Sequence, residues 1–274
     1  MGKFDGYLMV SDLDGTLFGN NYQIPKNNIE AIKYFIDSGG LFSIATGRGM
    51  VACDALLSEL PTNIPGVLFN GAVLYDLNNK KVLKEHGIDN NEAKTLIKLI
   101  NKKFPDIPTV IFHKRKMYTT IVNDELKILI DKIKMPAEYM PIDEIPFPWY
   151  KMLCEGSNNR LLEIKKYIDE LNYPMFSYVF TNSTLLEIIK KDVTKAAGLT
   201  ELTTLLNIEM SKTIAAGDYF NDVELLEKAA ISVVPQNAPN EIKQLANYIT
   251  CSNIDGMIAD FIYNFDLQQN FIVN

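Results

Sequence analysis

The sequence predicts an α/β protein in two parts: a doubly wound parallel sheet, and a smaller α+β domain inserted after the third strand of that sheet. Three observations carry this prediction. Short apolar runs alternate with helix-period segments at both ends of the chain; the rhythm changes in the middle; and polar residues suited to catalysis gather directly behind the apolar runs.

The run Tyr7–Leu13 is short and apolar and is halted by Gly15, which suits a buried strand of a parallel sheet. Pro25 to Ser38 puts Ile29, Ile32 and Ile36 on one helical face. Pro25 sits where a first turn tolerates it, and Gly39-Gly40 stops the helix. A second strand at Leu41–Ala45, a helix over about 50–60 and a third strand at Val67–Asn70 complete an order that folds by right-handed crossovers. From about Leu83 to Glu187, helices at Glu92–Phe104, Asp124–Ile133 and Asn158–Leu171 alternate with strands at Thr109–His113, Met117–Val122, Lys151–Glu155 and Phe176–Thr181. The Pro-rich stretch Met140–Pro148 splits this region into two similar halves. After Lys190 the first pattern returns, with a helix at Thr194–Leu206, a strand at Thr213–Ala216, a helix at Val223–Ala229, a strand at Ile231–Val234 and helices near Glu241 and Met257. The expected division is therefore 1–84 with 189–274 as the core and 85–188 as the insert.

Bulk properties narrow the function. A net charge of -7 over 274 residues lacks the basic footprint that nucleic acid requires, so an anionic ligand must be met by local groups. Cys53, Cys154 and Cys251 are far apart, odd in number and without metal-ligand spacing, and are expected as buried, reduced thiols. His86 and His113 are expected in solvated positions. No basic-then-apolar leader pattern opens the chain and no apolar run reaches membrane-spanning length, so a cytoplasmic protein without membrane contact is expected.

In an open parallel sheet, ligands bind beyond the C-terminal ends of the strands. Behind the first strand stands Asp12-Leu-Asp14-Gly15-Thr16; behind the second, Thr46-Gly47-Arg48; behind the third, Asn70-Gly71. Lys195 lies near the start of a helix, and the strand at 213 runs into Gly217-Asp218-Tyr-Phe-Asn221-Asp222. Four carboxylates of this kind suit magnesium, which keeps a few carboxylates, water and substrate phosphate as ligands. Lys195 and the amides around Gly15, Thr16 and Gly47 suit phosphoryl oxygens. Competing readings fail on particular residues. A calcium loop would need glycine where Leu17 stands and glutamate where Gln23 stands. Gly47-Arg-Gly49-Met-Val-Ala52 mimics a dinucleotide fingerprint but has Asn70, not an acid, about twenty residues on. The run Lys114-Arg115-Lys116 reads as a solvated turn.

Asp12-Leu-Asp-Gly-Thr16, Ala45-Thr-Gly-Arg48, Lys195 and Gly217-Asp-Tyr-Phe-Asn-Asp222 together resemble the four motifs of the haloacid dehalogenase superfamily. Asn70-Gly71-Ala72, the insert after it, and the ending Pro235-Gln-Asn-Ala238 … Asn253-Ile-Asp-Gly256 are similar to its Cof-type branch. The resemblance implies a Rossmann-like core with a mobile cap, acting as a magnesium-dependent phosphatase on small phosphorylated metabolites. It implies Asp12 as nucleophile and metal ligand, and Asp14 as general acid and base with its backbone carbonyl on the metal. Thr46, Gly47, Lys195 and Asn221 would hold the phosphoryl group, while Asp218 binds and Asp222 supports the magnesium. The family often has Ser-Lys-Gly where this chain has Thr194-Lys195-Ala196. A phosphomutase of the same family and a non-catalytic phosphometabolite sensor are the alternatives. The paired carboxylates Asp12 and Asp14 argue against pure binding of an anion.

Overall fold

The computed structural model describes residues 2–56, 59–133 and 135–265. The chain divides into two compact units. His86–Val193 forms one, and the segments on either side of it form the other.

The outer segments open with β1 (Leu8–Ser11), α1 (Lys26–Asp37), β2 (Leu41–Ile44), α2 (Met50–Asp54), β3 (Gly66–Leu68), β4 (Val73–Asp76) and β5 (Lys81–Glu85). The insert contains α3 (Asn91–Lys103), β6 (Thr109–His113), β7 (Lys116–Thr119), α4 (Asp124–Ile133), β8 (Ala137–Tyr139), β9 (Lys151–Glu155), α5 (Asn158–Leu171), β10 (Phe176–Asn182) and β11 (Leu185–Lys190). The chain then returns with α6 (Lys195–Leu206), β12 (Thr213–Ala216), α7 (Val223–Lys228), β13 (Ile231–Pro235), α8 (Asn240–Lys243), β14 (Tyr248–Thr250) and α9 (Met257–Asn264).

In the first unit the strands run parallel in the order β14-β13-β12-β1-β2. An isolated parallel bridge from Ala45 to Val67 carries the order on to β3. Every residue of β1 is buried, as a central strand covered on both faces requires. Leu8 and Val10 pack with Leu199, Leu202, Leu225 and Leu226 of α6 and α7, while α1 and α9 pack together on the other face. In the second unit the sheet order is β10-β11-β9-β6-β7-β8. Ile97 and Ile100 of α3 and Leu161 and Ile164 of α5 cover Ile111, Met152, Cys154 and Ile188 on one of its faces.

Several expectations need correction. Helix α2 ends at Asp54 rather than near 60, and residues 57–58 of the expected span lie outside the described residues. The third strand stops at Leu68, because Phe69 and Asn70 turn the backbone into the left-handed region at φ 51° and 55°. The strand expected to reach Val122 ends at Thr119. His113 is buried, its Nδ1 2.9 Å from the carbonyl of Pro148. Cys53 and Cys154 are buried and all three thiols are free, but Cys251 is only half-buried. The hairpin β4–β5 was not foreseen. The turn Lys114–Lys116 is exposed as expected, and Lys116 pairs with Glu138. Among the described residues, no helix is long and apolar enough to cross a membrane.

Candidate active site

The parallel pairing of β1 with β12 aligns Ser11 with Ala216, so both strands end at the same level. Asp12 then donates its backbone N–H to the Ala216 carbonyl at 2.8 Å, which sets its side chain beside the Gly217-Asp218 turn. Gly15, at φ +81°, lets the chain turn back there. A Cβ on it would stand 2.2 Å from Asp218 Oδ2, so no larger residue fits without moving that carboxylate. Thr16 Oγ1 donates to Asp218 Oδ1 at 2.7 Å.

Lys195 enters from the first turn of α6. Thr194 caps that helix by accepting from the Ala197 amide at 3.2 Å. Lys195 Nζ lies 2.7 Å from Asp12 Oδ1 and donates to Asp222 Oδ1 at 2.6 Å, with all three side chains buried. Asp222 Oδ2 accepts from the amides of Asp218 and Tyr219 at 3.1 and 3.3 Å. Asp222 is thereby a brace: it fixes Lys195 with one oxygen and the Asp218 turn with the other. Asn221 lies beside it, half-buried, on the short turn Phe220–Asp222.

One lysine thus stands among three carboxylates. Burial pushes the Asp12 carboxyl up to about 8 against the pull of Lys195, with Asp222 and Asp218 adding to the rise. Burial likewise raises Asp218 to about 6, opposed by the Thr16 hydrogen bond. The Asp12 and Asp222 carboxylates hold the Lys195 ammonium firmly in its charged form despite burial. Asp12, Asp218 and Asp222 each offer an oxygen, and these oxygens all lie within 4.8 Å of one another. Hard donors crowded this closely, with too little positive charge between them, fit a divalent cation.

Thr46 is buried at the end of β2. Its hydroxyl accepts from the Arg48 amide at 3.1 Å and its carbonyl accepts from the Asn70 amide at 3.0 Å. A Cβ on Gly47 would be 3.0 Å from Asn70 Oδ1, so the 46–48 and 69–71 turns pack directly on each other. Asp14 does not join the clustered carboxylates. It accepts from Arg48 Nε at 2.7 Å and Nη2 at 2.5 Å, a pair that sequence reading missed.

This geometry and the chain's relatives agree. The profile of the haloacid dehalogenase-like hydrolases matches residues 9–262. The chain belongs to that family, in its Cof-type branch, and is a phosphatase. It is 25% identical over 254 residues to a putative phosphatase of Haemophilus influenzae, covering 92% of this chain and 95% of that one. It is 26% identical over 262 residues to a 5-amino-6-(5-phospho-D-ribitylamino)uracil phosphatase of Bacillus subtilis, covering 95% and 96%. A haloacid dehalogenase-like hydrolase from Bacteroides thetaiotaomicron shares the fold with a TM-score of 0.84 at 22% identity, over 94% of this chain and 98% of that one.

Proposed function

We propose that the protein is a magnesium-dependent phosphatase that hydrolyses small phosphorylated metabolites through a phosphoryl group carried on Asp12. The observation that carries this reading is the single lysine shared by Asp12 and Asp222 beside Asp218. Asp12 must be ionised to attack phosphorus, and burial opposes that. The arrangement therefore calls for added positive charge at the position where an anionic phosphoryl group must also be received. Asp12 and Asp218, with the Asp14 carbonyl, would hold the magnesium, which supplies charge neutralisation for nucleophile and phosphate together.

In the first step an Asp12 carboxylate oxygen bonds to phosphorus. The bond to the ester oxygen breaks, and that oxygen takes a proton from Asp14. In the second step Asp14 takes a proton from water, whose oxygen displaces the Asp12 carboxylate and releases inorganic phosphate. Lys195 orients Asp12, while Thr46, the Gly47 amide and Asn221 receive the phosphoryl oxygens. The unit His86–Val193 is proposed to select the remote part of the substrate, whose binding energy then serves the reacting centre. The relative from Bacillus subtilis points to phosphorylated sugar alcohols on a heterocycle as one class for a substrate panel.

The test is phosphate release from a panel of sugar phosphates, nucleotides, flavin mononucleotide and pyridoxal phosphate. Chelator should abolish release and magnesium should restore it. Activity that persists in excess chelator would refute the metal assignment. Isomerised sugar phosphate without inorganic phosphate would make the protein a mutase.

A further inference from the structure

We propose that Arg48 is the positioning residue for Asp14, holding the carboxyl group in one orientation for its proton transfers. The inference rests on the reading of Asp14 as acid and base, and it concerns how a side chain on an exposed turn is kept in place for that work. Asp14 has 47% of its side chain exposed and is followed by Gly15 in the left-handed region. Left alone, such a side chain samples several rotamers. Both of its oxygens are instead engaged by one guanidinium fork, which fixes the plane as well as the direction of the carboxyl group.

The fork itself is built in. Arg48 donates its amide to Thr46 Oγ1 at 3.1 Å, and its carbonyl accepts from the Phe69 amide at 3.0 Å, so its backbone is tied at both ends. The guanidinium carbon lies 5.0 Å from the ring centre of Phe18 and 5.4 Å from that of Tyr22, an aromatic shelf that restricts the long side chain. Phe18 is buried, and its carbonyl accepts from Asn253 Nδ2 at 2.7 Å, so the shelf is anchored by the last part of the chain. A partly exposed ion pair adds little to folding stability. Stability therefore does not account for a fork backed by two rings and two backbone bonds; orientation of Asp14 does. Arg48 can keep its contact to one Asp14 oxygen while the other oxygen carries the proton that Asp14 transfers.

The test compares wild type, R48Q, R48K, D14N and the R48Q/D14N double variant. Magnesium is supplied, with 4-nitrophenyl phosphate as the substrate with a good leaving group and phenyl phosphate as the one with a poor leaving group. Rapid mixing reads release of the phenol, which is the first step, and of phosphate, which is the second. With phenyl phosphate, R48Q should slow the first step by about tenfold or more, a part of what a proton donor supplies. With 4-nitrophenyl phosphate the first step should change far less, because that leaving group needs little protonation. Phosphate release should fall with both substrates. R48K should restore only part of the loss, because an ammonium makes one contact where the fork makes two. In the D14N background R48Q should change nothing further, since a residue acting through Asp14 has nothing left to position.

R48Q losses that add in full to those of D14N, or a raised KM in both backgrounds at unchanged kcat, would show that Arg48 grips the substrate and would overturn the proposal. Wild-type rates in R48Q would overturn it equally. Wild-type turnover by D14N would instead remove Asp14 from the chemistry, and Arg48 with it. Should R48Q fail to fold, R48K carries the same leaving-group comparison.

Discussion

Replacing Lys195 by methionine removes a buried ammonium while keeping much of its volume. The Nζ atom is 2.7 Å from Asp12 Oδ1 and 2.6 Å from Asp222 Oδ1, and the side chain is 1% exposed. Without it two buried carboxylates face each other beside Asp218. Removing one partner from a buried pair costs about 3–5 kcal/mol, because the remaining charge stays out of water without its partner. In chelator at pH 8 this should lower the melting temperature by roughly 10 °C, at ~2–4 °C per kcal/mol for a chain of this size. Lower pH should return much of the loss. The folded-state value of Asp12, about 8, already lies above the ordinary 3.8, so its protonation favours the folded state. That stability is fully present below about pH 4 and is lost as pH rises through the folded value. Removing Lys195 removes a cause that lowers this value, so in the variant Asp12 keeps its proton to higher pH and the loss of stability continues above the point where it levels off in wild type. Calorimetric scans of both proteins in chelator at pH 5 and pH 8 read the difference. An equal deficit at both pH values would mean that the cost is one of packing. No deficit at pH 8 would mean that Lys195 does not compensate the carboxylates.

Other perturbations probe the same centre. Divalent-metal affinity, read by titration calorimetry, should weaken as pH falls below about 8 and further below about 6, because the protons on Asp12 and then on Asp218 must be displaced; equal affinity at pH 5 and pH 7.5 would contradict this. Gly15→Ala puts a Cβ 2.2 Å from Asp218 Oδ2 at φ +81°. It should cost about 1–2 kcal/mol of backbone strain and weaken metal binding; unaltered metal affinity would show that Asp218 moves without consequence. Asp222→Asn leaves an amide where two oxygens now accept from Lys195 and from the amides of Asp218 and Tyr219. A loss of about 1–3 kcal/mol in stability, with a raised magnesium requirement, is expected. An unchanged requirement would show that Asp222 does not brace the Asp218 turn.

The core of the sheet was legible because β1, β2 and β12 are buried on both faces, and a buried parallel strand must be an apolar run with its chemistry placed just behind it. That is why Asp12, Thr46, Lys195 and Asp218 could be read as one group. The hairpin strand β5 escaped notice because its sequence, Lys81-Val-Leu-Lys-Glu85, is almost wholly exposed and carries no apolar signal. Strands β8 and β14 are three residues each, too short for a period to show. The turn at Phe69 and Asn70 was hidden for another reason: asparagine tolerates the left-handed region, but phenylalanine gives no hint of it. His113 looked like a surface residue because only tertiary contact supplies its backbone acceptor, 35 positions away. The Asp14–Arg48 pair spans 34 residues and two different strand ends, so no local spacing marks it. Sequence suggests Asp222 only as a support for a metal; its contacts to Lys195 and to the Asp218 amide are visible only in three dimensions.

The most direct measurement locates the transferred phosphoryl group. The D14N variant is mixed with magnesium and 4-nitrophenyl phosphate and quenched in acid during the release of nitrophenol, and its peptides are then mapped by mass. A phosphoryl group is expected on Asp12, in an amount equal to the nitrophenol released and not above one per chain. A phosphoryl group on any other residue, or a burst of nitrophenol with no phosphorylated peptide, would contradict it.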